Sequence, residues 1–162
     1  MINLFVYGTL TEKKVQKSII GREFDVKKAR LYEYSLKEAI WCGVTTSYKT
    51  IAYEKGKKNY KVEGMILSVS DTELKKIDVY ESYPQFYKKI NVNVIDEDGK
   101  IVECLSYINA YFASSLNNKT KKNETSFKFS FQFFDEHFAN SFTARCHQFA
   151  CVHRLRNVLQ IN

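Results

Sequence analysis

The chain has 162 residues, of which 44% are hydrophobic and 27% charged, proportions that exclude a chain disordered throughout. One proline and six glycines exclude collagen-like and Pro/Gly-rich chains, and no stretch approaches the ~18 apolar residues of a membrane-spanning helix. About +4 of the net charge of +7 lies in residues 117–162, lysines are mixed with acids over the first 116 residues, and no basic helix or patch stands out, so we expect neither a nucleic-acid nor a membrane partner.

The first half of the chain reads as strands around one short helix. Ile2–Tyr7 is a nearly continuous apolar run, which predicts a buried strand that ends at Gly8. Apolar residues on one face of Glu12–Ile20 predict a helix. Further strands are predicted over residues 29–32, 50–53 and 60–69. Gly64 inside the last of these indicates a bulge or a close approach of two backbones.

The clearest local pattern begins at Ser70. A serine followed three residues later by Glu73 is a capping box, and it predicts a helix from Asp71 to about Glu81, ending before Pro84. Strands over residues 87–95 and 101–111 are joined at Asp98-Gly99, a pair typical of a two-residue hairpin turn. The sum is an α+β domain with a mostly antiparallel sheet and two small helices.

Composition changes sharply near residue 115. All eleven tyrosines lie at or before Tyr111, whereas eight of the twelve phenylalanines follow Thr125. The bridge between them, residues 114–123, is polar and typical of a linker. We therefore predict one domain over residues 1–115 and an atypical, poorly ordered C-terminal extension over residues 116–162.

The cysteines and the N-terminus indicate a cytoplasmic protein. Residues 1–7 lack the basic start and long apolar stretch of a secretory signal. None of the cysteines forms a C-x-x-C pair, so we interpret them as thiols. Two of them lie beside histidines near the C-terminus, but that spacing matches no zinc motif, and we expect no metal. The residues concerned are Cys42, Cys104, Cys146, His147, Cys151 and His153.

Glu81 is the most specific candidate for catalysis. Leu74, Ile77 and Glu81 share one face of the predicted helix, so the apolar stripe that packs on the sheet ends in a carboxylate. Partial burial, the negative helix end and Asp78 one turn before are each expected to raise the pKa of Glu81. A raised pKa suits a general base; the alternative is a surface glutamate beyond the helix end.

A second candidate is the loop that follows the first strand. Gly8 frees the backbone to turn, and the amides after it can receive an anion or a carbonyl oxygen, although a glycine at a strand end is more often only a turn. Tyr80, Tyr83 and Tyr87 are expected around Glu81, where they either line a small polar pocket or pack in the core and its rim.

These segments together resemble the gamma-glutamylcyclotransferase-like family, of the gamma-glutamylamine cyclotransferase type. Leu4–Leu10 is similar to its opening segment, which ends in Tyr-Gly-Thr-Leu, and Val62–Leu67 to a later strand. Residues 70–89 are similar to its helix, in which Asp-x-Tyr-Glu is followed by a tyrosine. A departure is that the arginine common after this tyrosine is Lys88 or Lys89 here, which affects substrate choice more than chemistry.

The resemblance implies a small, partly closed mixed β-barrel with flanking helices. It implies release of 5-oxoproline from a gamma-glutamyl small molecule without a cofactor. By position, Glu81 is implied as the catalytic residue, and the implied substrate-binding residues are Tyr7, Gly8, Thr9, Leu10 and Tyr87. Two alternatives stay open: a non-catalytic module that binds a small ligand on the same barrel, and a basic RNA-binding protein. The sequence leaves the oligomeric state undetermined.

Overall fold

The computed structural model describes residues 1–117, and the predicted extension from residue 118 onward lies outside them. The described residues form seven strands: β1 (Ile2–Val6), β2 (Lys27–Tyr32), β3 (Tyr34–Trp41), β4 (Val44–Tyr53), β5 (Lys61–Val69), β6 (Tyr87–Asp96) and β7 (Ile101–Asn109). This part of the chain also has a 3-10 helix over Gly8–Thr11 and three α-helices: α1 (Lys13–Ile20), α2 (Asp71–Tyr80) and α3 (Ala110–Asn117).

Five strands close a barrel in the order β1-β5-β2-β6-β7. The neighbours are antiparallel except β1 and β7, which run parallel and close the barrel. Strands β3 and β4 form a separate two-stranded sheet. The predicted α+β class and mixed barrel are confirmed, with the barrel fully closed rather than partly closed.

The barrel core shows why Gly64 is a glycine. Inward side chains such as Phe5, Leu31 and Val62 are almost fully buried. A Cβ atom at Gly64 would collide with the Val6 carbonyl oxygen and the Phe5 ring. Because β1 and β5 pack this closely, the predicted approach of two backbones is confirmed.

The capping box at the start of α2 forms as predicted. The Ser70 hydroxyl accepts from the Glu73 amide, and the Glu73 carboxylate accepts from the Ser70 amide. Leu74 and Ile77 are buried. The helix ends at Tyr80, so Glu81 is the first residue beyond it.

Two predictions about the end of the domain were wrong. Strand β7 ends at Asn109 rather than Tyr111, and α3 follows at once. This helix forms because Phe112 and Leu116, four residues apart, pack on the barrel core. It continues to Asn117, past the start of the predicted linker at Ser114. The domain boundary predicted at residue 115 falls inside α3 and stays a prediction.

The turn between β6 and β7 also differs from its prediction. The Asp96 amide donates to the Lys100 carbonyl at 2.9 Å, so the turn has three residues between this hydrogen-bonded pair instead of two. Gly99 lies in the left-handed region at φ +79°. The Asp96 carboxylate accepts from the Asp98 and Lys100 amides at 3.0 and 2.8 Å, which stabilises the longer loop.

Candidate functional site

Tyr7, the residue after β1, joins three strands through its hydroxyl. That hydroxyl donates to the Tyr107 carbonyl of β7 and accepts from the Ile51 amide of β4 at 3.3 Å. Burial, more than any other cause, raises the pKa of Tyr7, and the nearby negative charge of Glu81 adds to this, while Thr50 and the Ile51 amide oppose it. The phenol is therefore neutral and anchors the start of the loop.

The rest of this loop, Gly8–Thr11, is a 3-10 helix with one buried anchor. Leu10 is buried in the core, and its carbonyl accepts from the Nε2 of Gln16, itself fully buried, at 2.9 Å. Gly8 lies at φ +80°, where a side chain is strained. Gly8 and Thr9 are exposed, so the loop presents their backbone to solvent from a fixed base.

Glu81 lies beside the same part of the barrel. Its amide continues the helical pattern by donating to the Ile77 carbonyl at 2.8 Å, and the residue is half-buried. Its negative charge contributes to the raised pKa of both Tyr7 and Tyr107. The predicted catalytic carboxylate and the predicted loop are therefore neighbours in space.

A side-chain contact joins the loop to α2 directly. The hydroxyls of Thr9 and Tyr80 lie 2.9 Å apart in a hydrogen bond. Tyr80 is the last residue of α2, next to Glu81. The segments predicted to bind substrate and to catalyse thus meet, although 71 residues separate the two hydroxyls along the chain.

Tyr87, predicted to line the site, is hydrogen-bonded to the β3–β4 sheet. It is 4% exposed, and its hydroxyl donates to the Lys49 carbonyl of β4 at 2.8 Å. Its ring packs edge-on against Phe86, with centroids 4.8 Å apart. A contact between Tyr87 and substrate stays a prediction, and the structure places its hydroxyl on the β4 backbone.

Sequence reasoning missed a polar network behind Glu81. The Tyr107 hydroxyl donates to one oxygen of Asp78 at 2.7 Å, and Lys89 Nζ lies 2.9 Å from the other. Lys89 also lies over the Tyr83 ring, 4.2 Å from its centroid. Burial first, and then the bond to Asp78, raise the pKa of Tyr107. Strand alternation would have placed Lys89 on the same face as buried Tyr87.

Asn109 is another residue near the candidate site that the sequence did not single out. It is fully buried, and its side chain accepts from the Ile40 amide at 3.2 Å and donates to the Phe86 carbonyl at 3.0 Å. Its amide donates to the Thr50 hydroxyl at 2.8 Å. Asn109 therefore fixes the β3–β4 sheet against the turn that follows Glu81.

The described residues offer little for other chemistries. Over residues 1–117, no group of three or more His, Cys, Asp or Glu side chains is placed to hold a metal ion. Burial raises the pKa of the Cys104 thiol to about 11, which disfavours a nucleophilic thiolate. None of the helices in this part of the chain is long and apolar enough to cross a membrane. The cysteines and histidines near the C-terminus, Cys146, His147, Cys151 and His153, lie outside it.

Residues 4–128 match the family described as "Gamma-glutamyl cyclotransferase, AIG2-like". The chain belongs to this family. A Drosophila melanogaster protein named "Putative gamma-glutamylcyclotransferase CG2811" is 24% identical over 115 residues, 70% of this chain and 73% of its own length. The resemblance drawn from the sequence is thereby confirmed.

Solved structures agree on the fold. One titled "Gamma-glutamyl cyclotransferase" superposes with a TM-score of 0.57 at 17% identity, covering 88% of this chain and 98% of its own. The Arabidopsis thaliana protein At3g28950.1 superposes with a TM-score of 0.55 at 23% identity, covering 98% of this chain and 82% of its own. The family that the chain belongs to is one of gamma-glutamyl cyclotransferases.

Proposed function

We propose that this protein cleaves a gamma-glutamyl compound to 5-oxoproline and a free amine or amino acid, with Glu81 as general acid and base. One observation carries the assignment. Glu81, the half-buried residue directly after α2, lies close enough to Tyr7 for its charge to help raise the pKa of that tyrosine, and its neighbour Tyr80 bonds to Thr9 of the adjoining loop. Family membership supports a gamma-glutamyl substrate.

The reaction moves two protons off the attacking nitrogen. The substrate's α-ammonium loses the first proton to Glu81, and the freed amine attacks the γ-carbonyl carbon of the same molecule. As the tetrahedral intermediate collapses, the bond to the leaving nitrogen breaks and that nitrogen takes the first proton from Glu81. The ring nitrogen then gives its second proton to the regenerated Glu81 carboxylate, which passes it to the free amine. A positioned acid and base contributes ~10²–10⁴-fold, and holding the substrate folded for ring closure supplies more. No metal or organic cofactor is required.

The loop after β1 supplies backbone hydrogen-bond donors that complement the carboxylate of Glu81. The first amides of a helix have no acceptor within it, and here those amides belong to Gly8, Thr9 and Leu10. They are suited to hold the oxyanion that forms on the γ-carbonyl or the substrate's α-carboxylate. One well-placed donor of this kind is worth ~3–4 kcal/mol.

The test is direct measurement of 5-oxoproline from a small panel. The panel contains a gamma-glutamyl amine, a gamma-glutamyl amino acid and a gamma-glutamyl-lysine isopeptide, which also decides the substrate class. Glu81→Gln keeps the size and hydrogen bonding of the side chain but cannot take the proton. We expect at least ~10²-fold loss of turnover with an unchanged melting temperature.

The matched control is Glu97→Gln, in the exposed turn between β6 and β7, which should retain full activity. Turnover by Glu81→Gln above about a tenth of the wild-type rate would exclude a base of the expected strength. Binding of panel members without any 5-oxoproline would instead indicate the non-catalytic binding module.

A further inference from the structure

A half-buried ion pair lies one helical turn before Glu81. Lys89 Nζ and Asp78 Oδ2 are 2.9 Å apart, and each side chain is only 20% exposed. By contrast, Arg30 and Glu63 form a pair with 52% and 62% exposed side chains. Solvent and salt screen a half-buried pair much less than an exposed one, so this pair has the stronger effect on its surroundings.

The pair is held in place by several elements. The Tyr107 hydroxyl of β7 donates to the remaining oxygen of Asp78 at 2.7 Å. The Tyr83 ring, in the turn after α2, lies under the Lys89 ammonium. Both oxygens of Asp78 are therefore engaged, and the positive charge of Lys89 has a fixed position.

Helix geometry and charge both place this pair close to Glu81. Asp78 lies three residues before Glu81, the C-cap of α2, and residues at that spacing on a helix have Cβ atoms about 5–6 Å apart. In addition, the charge of Glu81 reaches Tyr107, whose hydroxyl is bonded to Asp78. The pair and the proposed base share one electrostatic environment.

Most of the titratable side chains linked to Glu81 by charge, by position next to it or through this pair are phenols. Asp78 and Lys89 supply the negative and positive charge of the set. The groups are Tyr7 after β1, Asp78 and Tyr80 on α2, Tyr83 in the following turn, Lys89 on β6, and Tyr107 on β7.

We propose that Lys89 is a positioning residue of the reaction, whose ion pair with Asp78 sets the pH above which Glu81 accepts the substrate's proton. This inference rests on the proposed role of Glu81. Without Lys89, the charge of Asp78 is uncompensated and disfavours a second carboxylate one turn away. Without Asp78, the ammonium of Lys89 favours the ionised form of Glu81.

The test compares Lys89→Met, Asp78→Asn, the double variant and Lys88→Met. Lys88 is the adjacent, exposed residue of β6 and so a matched control. In the pH profile of kcat/KM, the acid limb should move about one pH unit higher in Lys89→Met and about one unit lower in Asp78→Asn. It should return near its wild-type position in the double variant and stay unchanged in Lys88→Met.

A second readout does not depend on turnover. The carboxyl carbon of Glu81, assigned as the carbon-13 resonance lost in Glu81→Gln, should titrate with midpoints that shift in the same order across the same variants. If the wild type makes no 5-oxoproline, the proposed function fails, while these midpoints still decide whether the pair acts on Glu81.

Two outcomes would overturn the inference. One is an equal Glu81 midpoint in all variants. The other is lost activity with an unmoved acid limb, which indicates a purely structural role for Lys89. Should Lys89→Met fail to fold, Lys89→Gln and Lys89→Arg replace it: the first must move the acid limb upward, and the second, which keeps the charge, must leave it in place.

Discussion

The hydroxyls of Thr9 and Tyr80 share a 2.9 Å hydrogen bond that ties the loop after β1 to the last residue of α2. Each lies beside a group with a proposed part in the reaction: Gly8 in the loop and Glu81 beyond the helix. The distance between the loop amides and the carboxylate thus depends on this contact. Small displacements of reacting groups lower the reaction rate, so loss of this contact should lower turnover.

We expect Tyr80→Phe and Thr9→Val each to lower kcat/KM about fivefold, as loss of one hydrogen bond worth ~1 kcal/mol implies. The double variant should be little worse than either single one, because both remove the same interaction. Tyr60→Phe, which alters an exposed tyrosine, should change nothing. Losses that simply add in the double variant would show that the two hydroxyls act separately.

Gly8 and Gly56 form a matched pair for testing the loop. Their φ angles are +80° and +73°, and an added Cβ meets no protein atom within 4 Å at either position. Substitution by valine at either position should therefore lower the free energy of unfolding by about 1–2 kcal/mol through backbone strain alone. Only Gly8→Val should also lose kcat/KM, because Gly56 lies in the turn before β5. Normal kcat and KM in Gly8→Val would remove the loop from the mechanism.

The elements that the sequence predicted correctly are those determined by interactions between residues close together in the chain. The α2 helix followed from a capping box that closes within four residues, Ser70 to Glu73, and β1 from an apolar run that fills the barrel. Strand β3 was missed because Tyr34–Trp41 buries few side chains and shows no clean alternation. Its sheet is held largely by contacts that the sequence does not display, such as Asn109 to the Ile40 amide.

The network behind Glu81 was missed for a related reason. Asp78 is 11 residues from Lys89 and 29 from Tyr107 along the chain, and only closure of the barrel brings the three together. The turn at Asp98-Gly99 was predicted one residue too short. Its dipeptide favours two residues, but the carboxylate of Asp96 binds two amides of the longer loop, and side-chain bonds of this kind override a dipeptide preference.

Glu73 should make the free energy of unfolding depend on pH in the acidic range. Hydrogen bonding to Arg22, and then to Ser70, lowers the pKa of Glu73 to about 2 from its usual 4.5. A lowered folded-state pKa gives stability that is present above pH 4.5 and is lost as the pH falls toward 2. Because Arg22 is 45% exposed, solvent screening limits this to about 1 kcal/mol.

The measurement is urea unfolding of wild type and Glu73→Gln at about pH 6 and about pH 3. The free energy of unfolding of the wild type should fall more between these values than that of Glu73→Gln. Subtracting the two cancels the contributions of other carboxylates, including Asp96. Equal pH dependence in both proteins would mean that the Arg22 contact contributes nothing in solution.

The end of the domain can be located by chains that stop at residues 109, 117 and 128. We expect the chain ending at 117 to unfold cooperatively and keep its activity, because α3 completes the core through Phe112, Ala113 and Leu116. The chain ending at 109 lacks those contacts and should be less stable by about 2–5 kcal/mol, the range for removing a large buried side chain.

The chain ending at residue 128 tests whether residues 118–128 belong to the folded domain or to an appendage. The family match extends to that residue, whereas the composition change places the end of the domain near 115. The sequence from Phe127 onward is rich in phenylalanine, which predicts lower solubility for chains that contain it. Equal melting temperatures for the three chains ending at 117, 128 and 162, with higher solubility of the shortest, would establish the extension as an appendage. Loss of cooperative unfolding at 117 but not at 128 would show instead that residues 118–128 belong to the domain.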